Sequence, residues 1–313
     1  MSIEFTVFKG SANEGIVESK TRRDAPRGNE VLVKITHSGI CGTDEHYKHA
    51  DMVLGHEGVG TVEQIGDRVT QFKVGDVVGW GWNHKTCGEC EQCLLGQDQY
   101  CPNREQYGTH NHHQGSFGSH AIWDASFLFK VPDSIAPEHA APLMCGGATV
   151  FEVIEAYNIR PTQRVGVVGI GGLGHLAIHA RRRCTLARRS STSRKASSAL
   201  TWPPLDHLMV TTSFLPDWKP FLSAMKPKGT IYPLTVSASD LVIPILPIVL
   251  AGINIQGTTV AARSVHKRML DFAARNHIKP VIEEFPLTRS GVEEGMARLR
   301  EGKIRYRGVL VAA

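Results

Sequence analysis

The most specific chemical pattern in the sequence is a set of four cysteines within 15 residues: Cys87, Cys90, Cys93 and Cys101. Short spacers that contain glycine let a chain fold back so that four sulfurs reach one ion, each at about 2.3 Å. Four thiolates leave no position open for a substrate, so a zinc ion bound here would be structural. An iron–sulfur cluster also takes four thiolates, and reduced cysteines in an incidental loop are a third reading. Spacing and context favour structural zinc.

A second group of potential metal ligands comes from three separate segments. Cys41 follows an alternating, strand-like run, His56 and Glu57 lie in a glycine-rich segment, and Cys145 lies in the segment 142–149. Two thiolates and one imidazole would hold a catalytic zinc and leave one position open for water or a substrate oxygen. Singly, a buried cysteine is usually a packing residue. The neighbouring Thr, Asp and Glu side chains favour the metal site over that reading.

A glycine-rich turn of the form G-x-G-x-x-G occupies residues 169–174. It follows a short β-branched run and leads directly into an apolar helix start. In this context the glycines let the backbone approach a pyrophosphate, which then lies at the helix N-terminus. The strand, turn and helix start together indicate dinucleotide binding, which the turn alone would support only weakly.

Composition excludes several classes of protein. The chain has 313 residues, 42% of them hydrophobic and 21% charged, which fits two globular domains. Seven of its 35 Lys and Arg lie in the tract 181–195, and without them the net charge of +5 would be −2. We therefore expect no nucleic-acid partner. The longest uncharged stretch, 241–262, contains two prolines and two glycines, which predicts buried strands and loops and no membrane span. Seven cysteines without a secretory-type start predict a cytoplasmic protein.

The motifs together resemble those of the zinc-dependent medium-chain alcohol dehydrogenases, and within them the NADP-dependent, cinnamyl-alcohol-dehydrogenase-like branch. The resemblance covers residues 1–180 and 204–313. It is carried by C-G-x-D at Cys41, G-H-E-x-x-G at Gly55, the four-cysteine loop, P-L-M-C-G-G-A-T from Pro142 and G-x-G-G-L-G-H from Gly169. It implies an α/β protein with a mostly β, GroES-like catalytic domain and a doubly wound, parallel-sheet nucleotide domain.

The resemblance implies a role for each matching residue near the catalytic metal. Cys41, His56 and Cys145 match the zinc ligands, and Glu57 matches the carboxylate beside them. Asp44 matches the acid that orients the ligand imidazole. With the four-cysteine site, these matches imply two zinc ions per chain.

The resemblance also implies residues for substrate and cofactor. Thr43 matches the hydroxyl that hydrogen-bonds the substrate oxygen, and His46 the histidine that passes the proton towards solvent. Trp82 falls where related enzymes line the substrate pocket, although a packed aromatic explains it equally well. The positions that match cofactor-binding residues are Thr149, Gly169, Gly171, Gly172, Leu173 and Gly174. The implied reaction interconverts aldehydes and primary alcohols with NADP(H), zinc polarising the oxygen and nicotinamide exchanging hydride.

The sequence departs from the family pattern over residues 180–203, an irregular basic tract without a helical stripe. This departure indicates that one βα unit is lost or scrambled, so we expect a shortened nucleotide domain. A frameshift or misjoined exon would explain the tract, and a solvent-exposed linker is the other explanation. Ser190 and Lys195 stand where an NAD enzyme offers an acid, and a hydroxyl and a cation suit a 2′-phosphate, hence NADP. A disordered tract that binds nothing is the alternative, and the corresponding function is a catalytically impaired, zinc-binding remnant.

The expected organisation has three parts. Residues 1–148 form the catalytic domain, with a zinc lobe at about 84–104, residues 149–278 form the NADP-binding domain, and residues 279–313 return to the catalytic domain. The final part should contain a helix at 292–300 and a closing strand at 308–311. By resemblance, the apolar segment 241–260 forms the edge of a homodimer.

Overall fold

The computed structural model describes residues 2–182 and 203–313, with the side chains of 181 and 182 excepted. The tract 183–202, which includes Ser190 and Lys195, lies outside the described residues. The strands are β1 Ser2–Ser11, β2 Gly15–Asp24, β3 Glu30–Ile40, β4 Gly58–Ile65, β5 Val77–Trp80, β6 Asn83–Lys85, β7 Glu105–Gln106, β8 His120–Asp124, β9 Phe129–Lys130, β10 Val165–Val168, β11 Leu205–Val210, β12 Met225–Pro233, β13 Asn254–Ile255, β14 Ile282–Pro286 and β15 Arg307–Val311.

The helices are short to medium in length. They are α1 Gly42–Tyr47, α2 Glu91–Leu94, α3 Pro137–Ala140, α4 Gly146–Ala156, α5 Gly172–Arg182, α6 Lys219–Ser223, α7 Ile245–Ala251, α8 Arg263–Arg275 and α9 Arg289–Arg300. Among the described residues, no helix is long and apolar enough to cross a membrane.

The chain forms two compact units, one made of residues 1–148 and 260–313 and the other of 149–259. The first unit is built on a sheet in the order β14-β15-β3-β4-β5-β9, and β8 also pairs with β3. Neighbouring strands in this sheet pair antiparallel, except β14 and β15, which pair in parallel. Val31, Val33 and Ile35 of β3 pack against Trp80 and Trp123 in one core cluster. Core packing therefore fixes strand β3, and Cys41 is the residue that directly follows this strand.

A small antiparallel ribbon projects from the first unit. Strands β6 and β7 pair, Asn83 opposite Gln106, and the chain between them contains α2, a 3-10 turn at Asp98–Tyr100 and all four closely spaced cysteines. In the structure the zinc lobe comprises residues 87–104, which lie between the two strands. Both ends of the lobe join the β6–β7 ribbon, so the lobe is connected to the residues that flank this ribbon.

The second unit contains a parallel sheet in the order β10-β11-β12-β13. Leu208, Val210 and Ile231 on its inner strands pack with Trp218 and Leu222 in one cluster. Strand β10 is at one end of the described sheet, and its four residues are only half-buried. Together with the mostly β first unit, this sheet confirms the predicted α/β fold class.

Helix α8 belongs to the first unit by its contacts, so the units divide at residue 260 instead of the expected 278. Arg263 donates a hydrogen bond from its backbone to Asp98 and lies over the ring of Phe127. His266 stacks on Phe129 at 4.1 Å between ring centroids. These contacts attach α8 to the first unit, and the boundary between the units therefore lies before this helix.

The expectation of buried strands in 241–262 is wrong for most of that segment. Residues 245–251 form helix α7, which begins after Pro244 and ends at Gly252 in the left-handed conformation (φ 60°). None of its residues is buried, and only Asn254–Ile255 forms a strand. An uncharged run fits a helix or a strand, and here Pro244 at the start and Gly252 at the end fix the helix.

Candidate metal centre and nucleotide turn

The candidate metal centre starts where β3 ends and α1 begins. Cys41 occupies the N-cap position of α1, and its backbone N–H donates to Asp44 Oδ2 at 2.9 Å. A carboxylate at the third helical position that accepts from the N-cap N–H is half of a capping box. This bond fixes Cys41 relative to Asp44, and both residues are buried.

Gly55 shapes the turn that presents His56. Its φ is +90°, and a Cβ at this position would collide with Phe117 and Ser116. Only glycine satisfies both conditions. Its N–H is shared between Asp44 Oδ1 at 3.3 Å and the Tyr107 hydroxyl at 3.1 Å. The turn is thus pinned to Asp44 directly and through Tyr107.

Asp44 orients the imidazole of His56. His56 Nδ1 lies 2.9 Å from Asp44 Oδ1, and both side chains are fully buried. A carboxylate only accepts, so Nδ1 carries the proton. Nε2 is buried and has no hydrogen-bond partner among the described residues. An unpartnered buried nitrogen beside thiols is what a metal ligand without its metal looks like.

Three further potential ligands lie close to the imidazole of His56. One ligand atom from each of Cys41, His56, Glu57 and Cys145 lies within 4.8 Å of all the others, and all four residues are buried. Cys145 arrives from the 3-10 turn at Ala141–Met144. The sequence separates Cys41 from Cys145 by more than a hundred residues, and the fold brings them to one point.

The site favours a thiolate. The neighbouring Cys145 thiol and the charge of His56 hold the pKa of Cys41 well below its usual value, although burial opposes this. A hydrogen bond with Cys41 and burial raise the pKa of the Cys145 thiol. Burial would lower the pKa of His56, but Asp44 and Cys41 together raise it well above its usual value. A metal ion that binds Nε2 would therefore displace a proton.

Glu57 is held by a residue that the sequence reasoning missed. Arg307 on β15 donates to both carboxylate oxygens of Glu57, and both side chains are buried. Burial raises the pKa of Glu57 to about 7 although Arg307 opposes the rise. A Cβ at Gly39 would occupy the space of this carboxylate. An arginine within the otherwise apolar closing strand was the available signal.

Two aromatic rings pack against His56. Trp82, half-buried, meets the imidazole edge-on with centroids 5.5 Å apart, and Tyr107 lies at 4.7 Å. The Tyr107 hydroxyl donates to Asp44 Oδ1 at 2.9 Å. Burial and the charge of Asp44 raise the pKa of Tyr107, so the hydroxyl keeps its proton. Trp82 thus lies beside the metal centre, and Tyr107 is a second residue that sequence reasoning missed.

The two predicted proton-handling residues lie on α1. Thr43 is half-buried, and its Oγ1 is 3.8 Å from Cys41 Sγ. His46 is exposed in the last turn. The helix therefore has a hydroxyl near the thiolate and an imidazole in contact with solvent.

The zinc lobe gathers its four cysteines as the spacing predicts. One sulfur from each of the four lies within 4.8 Å of the others, and Cys87 Sγ is 3.5 Å from Cys101 Sγ. Backbone N–H groups of Glu89 and Cys90 lower the pKa of Cys87 to about 6. Sulfurs at about 2.3 Å from a tetrahedral centre would be about 3.8 Å apart, close to the observed separation.

The glycine-rich turn lies in the second unit, between β10 and α5. Gly169 has φ +89°, and a Cβ at Gly174 would overlap the Gly169 carbonyl. Thr211 Oγ1 donates to the carbonyls of Val168 at 2.9 Å and Gly169 at 2.7 Å, which fixes the turn. Gly171 is exposed with open space where a side chain would be. The predicted contributors Gly172, Leu173 and Gly174 form the first turn of α5, and Thr149 lies half-buried on α4.

Comparisons with known proteins agree with this geometry. Residues 27–133 match the alcohol dehydrogenase GroES-like domain. An aldehyde reductase of Synechocystis is 32% identical over 90% of this chain and 91% of its own length. The chain belongs to the zinc-dependent medium-chain alcohol dehydrogenase family.

Two further relatives span nearly the whole chain. An NADP-dependent alcohol dehydrogenase of Mycolicibacterium smegmatis is 29% identical over 97% of this chain and 96% of its own length. The solved structure of a cinnamyl alcohol dehydrogenase from Sorghum bicolor superposes with a TM-score of 0.87 at 27% identity, covering 99% of this chain and 98% of that one. Family membership thus confirms the resemblance on which the residue roles were based.

The stability of the metal centre should depend on Asp44 even without metal. In Asp44→Ala, the donors at Cys41, Gly55, His56 and Tyr107 lose their common acceptor inside the core. We expect a loss of roughly 3–5 kcal/mol in the free energy of unfolding, measured with urea in the presence of a chelator. Asp51→Ala, at a side chain that is 88% exposed, is the control and should change little. A loss below about 1 kcal/mol for Asp44→Ala would contradict a central role.

Proposed function

We propose that the protein is a zinc-dependent oxidoreductase that interconverts aldehydes and primary alcohols with NADP(H). The observation that carries the proposal is the buried Nε2 of His56, which has no hydrogen-bond partner among the described residues, on an imidazole close to Cys41 and Cys145. Two thiolates and an imidazole are a donor set that suits zinc. The names of the aldehyde reductase and the NADP-dependent alcohol dehydrogenase support the reaction class.

Cys41, His56 and Cys145 would hold the catalytic zinc. When bound, zinc supplies a Lewis acid for the substrate oxygen, and the nicotinamide cofactor exchanges the hydride. Asp44 fixes the ring of His56 with Nε2 free for the metal. Arg307 holds Glu57 through both carboxylate oxygens. Because Arg307 occupies those oxygens, we propose that Glu57 stays beside the metal and is not a permanent ligand.

Thr43 and His46 would move the proton. The Thr43 hydroxyl is near the thiolate of Cys41, where it can hydrogen-bond a substrate oxygen. His46 is exposed and can exchange a proton with water. A buried oxygen that gains or loses a proton needs such a route to solvent. We propose that Thr43 binds the oxygen and that His46 completes the route, while Trp82 lines the substrate side of His56.

The glycine-rich turn would bind the pyrophosphate of the cofactor. Gly171 leaves open space beside the N-terminus of α5, and Thr211 fixes the turn. Backbone N–H groups at a helix N-terminus attract phosphate. For the 2′-phosphate we propose Ser190 and Lys195 on sequence grounds, with NADP(H) as the cofactor. The four sulfurs of the zinc lobe would hold a second, structural zinc, since no position there remains for a substrate.

The metals and the chemistry can be tested together. The chain purified without chelator should contain two zinc ions by elemental analysis. Cys41→Ser and His56→Ala should remove one zinc and abolish aldehyde reduction, whereas Cys93→Ser should remove the other and lower stability. His46→Ala should retain both metals and slow the reaction by roughly ten- to a hundredfold, because water partly replaces a proton relay. Iron in place of zinc, or an unchanged rate in Cys41→Ser, would refute the assignment.

The preference for NADPH can be tested at Lys195. Fluorescence titration should show tighter binding of NADPH than of NADH, and Lys195→Ala should weaken NADPH binding by roughly tenfold while leaving NADH binding unchanged. Lys219→Ala removes one charge from an exposed lysine of the same unit and is the matched control. A protein that holds both metals but binds neither nucleotide would support the impaired remnant instead.

We also propose a homodimer joined through α7. Leu246, Val249 and Leu250 on this helix are 64–77% exposed, and Val242 before it is 80% exposed. Apolar side chains that lie together in solvent are typical of an interface between subunits. The two-residue strand β13 follows α7 at the end of the described sheet, where a second copy could pair. The six described cysteines are free thiols, which fits the proposed cytoplasmic location.

A charge on α7 should separate the subunits. Leu250→Asp should convert a dimer into a monomer in sedimentation velocity at micromolar concentration, because the carboxylate would be buried without a partner. Leu94→Asp is the matched control, since Leu94 is equally exposed (75% against 77%) but lies in the zinc lobe. A monomeric parent chain, or a Leu250→Asp chain that remains dimeric, would refute this interface.

A further inference from the structure

Tyr107 stands between the zinc lobe and the catalytic metal centre. It follows β7 immediately, and its backbone N–H donates to the carbonyl of Trp82 at 2.9 Å, just before β6. These two strands are the base of the zinc lobe. The position of Tyr107 is therefore set by the ribbon from which the lobe projects.

The side chain of Tyr107 contacts the catalytic centre at three points. Its hydroxyl donates to Asp44 Oδ1 and accepts from the Gly55 N–H, at 2.9 and 3.1 Å. Its ring lies 4.7 Å from the ring of His56, tilted by 33°. The side chain is only 1% exposed, so these contacts are shielded from water. A shift of Tyr107 would move the acceptor of His56 Nδ1 and the turn that carries His56.

Arg104 connects the lobe to the same ribbon. Its Nε donates to Gln106 Oε1 at 2.7 Å, and its Nη1 donates to the Cys101 carbonyl at 3.0 Å. Cys101 is one of the four lobe cysteines, and Gln106 is the residue before Tyr107. A continuous series of contacts therefore runs from a lobe cysteine through Arg104, Gln106 and Tyr107 to Asp44.

We propose that Tyr107 is a positioning residue that couples the zinc lobe to the geometry of the catalytic metal ligands. The lobe, held by its metal, fixes the β6–β7 ribbon, the ribbon fixes Tyr107, and Tyr107 fixes Asp44 and the Gly55 turn. Orientation of His56 by Asp44 then depends on a lobe that contributes no ligand to the catalytic metal. The inference rests on the proposed metal occupancy of both cysteine-containing sites.

The first test uses cobalt at the catalytic centre as a spectroscopic probe. Tyr107→Phe keeps the ring and removes only the hydroxyl. We expect it to shift the visible absorption of the bound cobalt and to speed cobalt release to a chelator by about tenfold, the low end of what residues behind a metal ligand contribute. Tyr100→Phe, the same change at an exposed tyrosine of the lobe, should alter neither quantity. An unchanged spectrum and release rate in Tyr107→Phe would overturn the positioning role.

The second test is a double-mutant cycle that measures the coupling. Arg104→Ala breaks the connection between Cys101 and Gln106 without removing a metal ligand. It should speed cobalt release from the catalytic centre severalfold in the parent chain, but less than twofold in the Tyr107→Phe chain. A folded Cys93→Ser chain should show the same pattern: severalfold faster cobalt release in the parent background, and less than a twofold effect in the Tyr107→Phe chain. Effects of Arg104→Ala and Tyr107→Phe that multiply would overturn the coupling.

Failure of the inference can be separated from failure of the proposed function. If the parent chain binds no cobalt at Cys41, His56 and Cys145, the proposed function fails. If cobalt binds there, is lost in Cys41→Ser, and is indifferent to Tyr107→Phe, the proposed function stands and the coupling alone is refuted. The release rate and spectrum need no nucleotide, so neither result depends on the tract outside the described residues.

Discussion

The buried carboxylate of Asp44 is the constraint on which the metal centre depends. It accepts from His56 Nδ1, the Tyr107 hydroxyl, and the backbone N–H groups of Cys41 and Gly55. An isolated carboxylate in a core would be costly, and four donors offset that cost. The donors come from the start of α1, the Gly55 turn and the base of the zinc lobe. One acceptor therefore fixes three separate segments relative to one another, and this arrangement sets the positions of Cys41 and His56.

A second buried carboxylate, Glu57, also has its partner inside the core, and this partner, Arg307, comes from the last strand of the chain. The pairing connects the metal centre to β15, which pairs with β3 next to Cys41. Residues 307–311 thus matter to the site although they are distant in sequence. The two carboxylates differ in partner: Asp44 accepts from neutral donors and His56, while Glu57 accepts from the guanidinium of Arg307.

Sequence patterns predicted the residues whose chemistry is intrinsic to their type. Four cysteines at short spacing, a glycine-rich turn and a helix near 292–300 each carry a local signal, and the structure contains α9 at Arg289–Arg300 and a closing strand at Arg307–Val311. Tyr107 carries no such signal, and Arg307 stands out only as a charged residue in an otherwise apolar strand, because the importance of both comes from an acceptor far away in sequence. The prediction for the segment 241–262 was wrong for a third reason: an uncharged run does not reveal whether it forms a strand or a helix, nor whether its apolar side chains are buried or exposed.

The zinc lobe contributes none of the four clustered residues Cys41, His56, Glu57 and Cys145, but the residues that flank it contact His56. Trp82 and Tyr107 lie on either side of the lobe in sequence and both contact the ring of His56. A ribbon of only two short strands is marginal on its own. A metal held by the four cysteines would close that ribbon at its far end and so restrict the motion of both rings. The imidazole of His56 is then fixed on one edge by Asp44 and on its faces by residues that the lobe restrains. Rigid support of this kind matters most if, as we propose, His56 binds a metal whose remaining coordination position exchanges its occupant.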